Sequence, residues 1–142
     1  MSGFLLDTNV ISELVKVKPD LRVTAWLEGI DEHLLYLSVL TLGEIRKGVT
    51  ALSHAARRVA IEAWLENDLR NRFAGRILPV SEEIADRWGV MAGQAHSKKS
   101  PVPVIDGLLA ATALHHNLTL VTRNVKDVAA AGVNFFNPWE EK

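Results

Sequence analysis

Short runs of apolar residues alternate along this chain with longer stretches whose apolar positions recur every three or four residues. The first run, Gly3-Phe4-Leu5-Leu6, stops at the polar Asp7-Thr8-Asn9 and predicts a buried strand followed by a turn. Val10 to Val15 predicts a short helix closed by lysines and Pro19, and Val23 to Ile30 a second one, with Trp26, Leu27 and Ile30 at helical spacing. Leu34 to Leu40 is long enough for a strand buried on both faces. A helix is expected to open at Thr41 and run through Glu44 to Leu52. From His54 to Phe73, Ile61, Trp64, Leu65 and Leu69 share one helical face with charges opposite. Arg76 to Val80 predicts a strand. Ser81 is the expected N-cap of an amphipathic helix marked by Ile84, Trp88, Met91 and Ala95, with Glu82 and Glu83 in its first turn. His96 to Val104 reads as a polar loop, in which Pro101 and Pro103 force extended geometry on the residues before them. An alanine-rich helix from about Asp106 to His116, a strand at 118–121, a short strand at 133–136 and a loose charged tail after Trp139 complete the pattern.

Strands alternating with helices imply a parallel sheet covered by helices on both faces. No linker, internal repeat or low-complexity segment interrupts the 142 residues, so one domain is expected. Hydrophobic residues make up 48% of the chain and charged residues 23%, the balance of a globular rather than a disordered protein. No apolar run approaches the ~20 residues needed to span a bilayer. No basic region precedes an apolar stretch at the N-terminus, so neither a secretory signal nor membrane association is expected. The absence of cysteine removes disulfides and thiolate zinc sites and fits a cytoplasmic protein. A formal net charge of −1 argues against non-specific coating of long nucleic acids, so any polynucleotide contact must come from a local patch.

That patch has to be reconciled with the acids. Most of the 17 acidic residues sit on helix faces that solvent explains, but four places lie where an apolar run stops. Asp7 follows the first strand, Glu44 lies in the first helical turn after the second, Asp106 begins a helix, and Asn124 and Asp127 follow the strand ending at Val121. Each has an ordinary explanation: Thr41 to Glu44 matches a capping box, Asp106 suits a helix N-terminus, Asn124 to Asp127 could cap the next segment of chain, and Asp7 could brace a turn. Together they map to the carboxyl ends of the strands, where open α/β sheets bind ligands. Carboxylates converging there would repel one another and their pKa values would rise. A hard cation with oxygen ligands, Mg²⁺ or Mn²⁺, relieves that repulsion, and such a centre can activate water and neutralise a phosphoryl group. The spacing therefore points to metal-assisted phosphate chemistry and leaves the substrate open.

Four blocks carry a resemblance over nearly the whole chain: Phe4-Leu5-Leu6-Asp7-Thr8-Asn9, Thr41-Leu42-Gly43-Glu44-Ile45-Arg46-Lys47-Gly48, the segment from Val104 through Asp106 to Ala113, and Leu120-Val121-Thr122-Arg123-Asn124-Val125-Lys126-Asp127. In this order they resemble the PIN-domain nucleases, and more narrowly the VapC toxins of toxin–antitoxin pairs, with the Gly-Glu-Ile-Arg-Lys-Gly form suggesting the FitB-like branch. The resemblance implies a three-layer α/β/α sandwich with a central parallel sheet, endoribonuclease activity on an RNA substrate, a homodimer, and inhibition by a cognate antitoxin. By match it implies that Asp7, Glu44 and Asp106 coordinate Mg²⁺ or Mn²⁺. Asn124 stands at the family's fourth position, which carries either Asp or Asn, and Asp127 is the nearby alternative for a fourth carboxylate. Thr122 matches a hydroxyl that fixes the acidic cluster or the substrate.

Arg46, beside Glu44, and Arg123, beside Thr122, are candidate phosphate contacts, and the Lys98-Lys99 pair could steer a phosphate backbone or simply be solvated. Trp26, Trp64 and Trp88 are expected in the core or at a dimer interface. His115 and His116 cannot share one helical face and lack a partner at metal-ligand spacing. A phosphoaspartyl hydrolase using Asp7 as nucleophile would want a second Asp where Asn9 stands. The remaining alternative is a catalytically silent module of the same fold that binds RNA or a partner protein.

Overall fold

The computed structural model of the protein describes residues 2–140. Its centre is β1 (Phe4–Leu6), a strand with no polar side chain at all. Such a strand needs cover on both faces, and the sheet provides it. Five strands pair in parallel in the order β3-β2-β1-β4-β5, where β2 is Leu35–Ser38, β3 Ile77–Leu78, β4 Thr119–Val121 and β5 Phe135–Phe136. The register sets Phe4 opposite both Leu35 and Thr119, and Leu6 opposite Val121. At Gly3 an added Cβ would lie 2.5 Å from the Leu34 carbonyl oxygen, so only glycine lets the start of β1 come this close to its neighbour.

Alternate side chains leave opposite faces of the sheet. Leu6, Leu35, Leu37 and Val121 pack with α1 (Thr8–Glu13), α2 (Leu21–Glu28), α3 (Val39–Thr50) and the helical run over residues 55–72. Leu5 and Leu120 face the other way, onto α7 (Val104–His115) and α8 (Val125–Ala129), with Met91 of α6 (Glu82–Ser97) beside them. The result is the expected three-layer α/β/α arrangement. Leu5 and Leu6 are both fully buried, each on its own face, and burying a leucine in this way contributes about 1.5–3 kcal/mol. Among the described residues no helix is long and apolar enough to cross a membrane.

The chain runs from β1 outward to β2 and β3, then crosses the sheet to β4 and β5, so the topological switch point lies between β1 and β4. Several boundaries differ from the sequence reading. The third helix opens at Val39 rather than Thr41, because the Ser38 hydroxyl at the end of β2 accepts the Leu40 amide at 3.0 Å. The alanine-rich helix begins at Val104, ahead of Asp106, and α6 runs on to Ser97. The single helix expected from His54 to Phe73 is α4 (Ala55–Ala63), a π-helical segment at Trp64–Leu69 and the short α5 (Arg70–Arg72). That wide turn keeps Leu65, Leu69 and Phe73 all buried in the core. Ser81 caps α6 as expected, accepting the Ile84 amide. Trp26 and Trp64 are partly buried against the first core, and Trp88 is half-buried. Beyond Glu140, the charged tail lies outside the described residues.

Candidate active site

The end of β1 delivers Asp7 into the N-cap position of α1, where its carboxylate accepts the Thr8 amide at 2.6 Å. Just past the end of the neighbouring strand β4, the buried Thr122 hydroxyl donates to Asp7 Oδ2 at 2.7 Å and accepts the Asn124 amide at 2.9 Å. The strand ends are thus tied together across the switch point. Asn9 adds a weaker link, its side-chain amide lying 3.4 Å from Asp7 Oδ2 and 3.5 Å from the Thr122 hydroxyl. The Thr8 hydroxyl donates to Glu44 Oε1 at 2.5 Å and lies 3.3 Å from the hydroxyl of buried Thr41. Since the third helix is already capped by Ser38, Glu44 has no capping box to complete. Its carboxylate is instead held to the start of α1.

Asp106 enters from the first turn of α7. Asp7, Glu44, Asp106 and Asn124 all line one open cleft, together with Arg123 and Lys16. Electrostatics separates these acids from helix-capping ones. Burial, first, and then the charges of Asp7, Asp127 and Glu44 push Asp106 up to about 6. A helix N-terminus favours the charged carboxylate, so the crowding outweighs the dipole here. Asp7 is also raised: burial dominates, bonds from Thr122 and Thr8 oppose it, and the Glu44 charge adds to it. The far wall of the cleft behaves differently. Burial alone would raise Glu13, but the Asp20 amide, Lys16 and the Trp139 indole all bond to it and leave it lowered. The Arg123 guanidinium lies 5.2 Å over the Trp139 ring.

A family model described as PIN domain matches residues 4–131. The chain belongs to the PIN-domain family. Among curated relatives it is 39% identical to toxin FitB of Neisseria gonorrhoeae over 96% of this chain and 99% of that protein. It is 38% identical to VapC ribonuclease Y4jK of Sinorhizobium fredii, covering 96% of this chain and 97% of that protein. The crystal structure of FitAcB from Neisseria gonorrhoeae holds a chain that superposes with a TM-score of 0.92 at 39% identity, covering 97% of this chain and 99% of that one.

Within this PIN domain the sequence-predicted residues divide. Asp7, Glu44, Asp106 and Asn124 share the cleft, Thr122 stands behind Asp7, and Arg123 is on the rim. Arg46 is elsewhere. Two residues from Glu44 on a helix, it points away from it, and its guanidinium is 2.8 Å from Glu66 and 3.7 Å from Glu62. Asp127, in the first turn of α8, is exposed and does not line the cleft; its charge still reaches Asp106. Asn124 occupies the N-cap position of α8 but makes no side-chain capping bond. Sequence reasoning passed over Thr8 as a ligand to Glu44, and it missed Glu13, Lys16 and Trp139. Thr8 was recoverable, because it sits inside the Asp-Thr-Asn block. Trp139 was not: it lies outside the matched segment and carried no patterned signal.

The cleft offers oxygen donors, and no imidazole or thiolate among its lining residues, a set suited to a hard divalent cation. Among the described residues no three acidic or histidine side chains stand close enough to enclose an ion by themselves. Mg²⁺ commonly keeps several waters and takes only one or two carboxylates. The donor chemistry therefore fits a hydrated ion rather than an all-protein cage.

Proposed function

We propose that this PIN domain is a Mg²⁺- or Mn²⁺-dependent endoribonuclease, the toxin of a toxin–antitoxin pair. The observation that carries the reading is the meeting of Asp7, Glu44 and Asp106, from three separate elements, in one cleft where burial and mutual repulsion raise Asp106 to about 6. Asp7, Glu44 and Asp106 would hold the ion, with Asn124 beside them. Once bound, it would acidify a water and neutralise charge on the scissile phosphate. The chain's own residues do the positioning. Thr122 and the Thr8 amide fix Asp7, and the Thr8 hydroxyl fixes Glu44. Arg123 and Lys16, the cations on the cleft wall, would engage phosphate oxygens. Water oxygen bonds to phosphorus, the bond to the leaving 3′-oxygen breaks, and that oxygen takes a proton, giving 5′-phosphate and 3′-hydroxyl ends. No side-chain nucleophile is required.

The names of the relatives, toxin FitB and a VapC ribonuclease, support the same activity for this chain, and an antitoxin as its protein partner. Half-buried Trp64, with exposed Val59 on the same helical run, supports a homodimer, which sedimentation would test. One observation favours the silent-module reading: the carboxylates do not form a closed triple. The experiment that separates the two is incubation of purified protein with total cellular RNA. Discrete products with Mn²⁺, abolished by chelator and by Asp106→Asn, are expected. Intact RNA under all conditions would leave only a binding role.

A further inference from the structure

Across the start of α7 from the cleft, α6, α7 and the end of α8 form a cavity of about 220 Å³. Its lining combines the Trp88 indole and Met91 with Gln94, Lys98 and Ser100, and Gly107 forms part of the wall. No side-chain hydrogen bond or ion pair among the described residues engages Trp88, Gln94, Lys98 or Ser100. We infer that this cavity receives one unpaired nucleobase of the RNA substrate, stacked on Trp88, next to the cleft in which the phosphodiester is cut. The inference rests on the ribonuclease reading and adds to it a specificity subsite.

Three observations carry it. First, cavity and cleft share a wall. Asp106, which lines the cleft, and Gly107, which lines the cavity, are consecutive residues near the start of α7, so the two sites flank the same turn of helix. Second, Gly107 admits the indole. A Cβ there would stand 3.0 Å from Trp88 Cδ1 and 3.1 Å from Nε1, so the absence of a side chain lets the ring lie against the first turn of α7. Third, the chemistry suits a base rather than an aliphatic side chain or a bare phosphate. An aromatic face stacks on any base, the uncommitted amide of Gln94 and hydroxyl of Ser100 can read its edge, and Lys98 supplies a cation for the adjoining phosphate. An aliphatic occupant would leave those polar groups unused. Lys16 and Arg123 line the cleft and Lys98 lines the cavity, so a strand joining the two sites would meet a cation at each.

The test uses the full chain carrying Asp106→Asn, so that RNA stays intact, with a randomised RNA oligonucleotide containing 5-iodouridine. Photocrosslinking followed by peptide mass mapping should place the adduct on Trp88. In the otherwise wild-type chain, Trp88→Leu should raise KM for RNA about 5- to 150-fold with little change in kcat. Gln94→Ala with Lys98→Ala, exposed changes that leave the core alone, should alter which bases flank the cleavage sites. Crosslinks mapping elsewhere, with unaltered KM and base preference in these variants, overturn the inference. So do variants that cleave normally but lose a co-purifying antitoxin, which would assign the cavity to a protein segment. If the wild-type chain cleaves no RNA yet the adduct still forms on Trp88, the ribonuclease reading fails and the base site stands.

Discussion

Two groups of charged residues at opposite ends of β2 treat their carboxylates in opposite ways. At the entry to β2, Glu32 is gripped by two arginines: Arg72 bonds both its oxygens at 3.0 and 3.1 Å, and Arg76 reaches Oε2 at 3.0 Å. Arg76 also donates to the Leu35 carbonyl at 2.7 Å and lies over the Phe73 ring. Burial alone would raise Glu32, but the bonds and charges of Arg72 and Arg76 hold it below the usual range. Beyond the other end, no cation among the described residues is bonded to Asp7 or Asp106, and both are raised. An acid satisfied by its neighbours is part of the scaffold. Asp7 and Asp106, raised first by burial and then by neighbouring carboxylates, form the kind of perturbed pair that collects at functional sites.

The largest effect expected from this contrast is on activity. Asp106→Asn should lower RNA cleavage with Mn²⁺ by ~10²–10³-fold or more, while the metal-free variant unfolds in urea at the same concentration as wild type or a higher one. A clearly lower midpoint would make Asp106 scaffold after all. The converse variant, Arg76→Ala, leaves Glu32 and the Leu35 carbonyl without their donor and should destabilise the fold by about 2–3 kcal/mol. Cleavage per folded molecule should persist.

The pH dependence sharpens the comparison further. Between the ordinary carboxyl value and about 6 the folded protein keeps a proton on Asp106 that the unfolded chain has lost. Stability without metal should therefore fall as pH rises through that window and level off above it. Glu32 works in the other direction: its contribution is present above its unfolded value and is lost as pH falls through the lower folded one. Urea melts of wild type and Asp106→Asn at several pH values should differ most above pH 6, and added Mn²⁺ should narrow the difference by stabilising wild type. The smallest effect belongs to Arg46. Bound to exposed Glu66 and Glu62, it should tolerate Arg46→Ala with a loss of ~1 kcal/mol or less and unchanged cleavage.

The parts of this layout that could be read from sequence were those written in one-dimensional patterns. Apolar runs gave away β1, β2 and β4, and the polar residue after each marked the sheet edge where ligands bind. Asp7 and Glu44 were legible for that reason; Asp106, which follows α6 rather than a strand, was marked only by the apolar Val104-Ile105 before it. Side-chain direction was not. Arg46 follows Glu44 by two positions, and only the phase of the helix sends it to Glu66. Ser38 was hidden as a cap because it lies inside an apolar run, which moved the predicted helix start to Thr41 and gave Glu44 a capping role it does not have. The π-helical segment at Trp64–Leu69 left no mark in the periodicity, since Leu65 and Leu69 keep an ordinary four-residue spacing.

The bond between Asp7 and Thr122 spans 115 residues of sequence, and it joins the two strands at the centre of the sheet. During synthesis, the first half of the cleft leaves the ribosome long before the second. Until β4 has emerged and paired with β1, Asp7 lacks its hydroxyl donor and the first layer of helices has no complete sheet to rest on. A partly made chain therefore carries the acids but not the assembled centre. This order of assembly delays formation of the acidic centre until most of the chain has been translated.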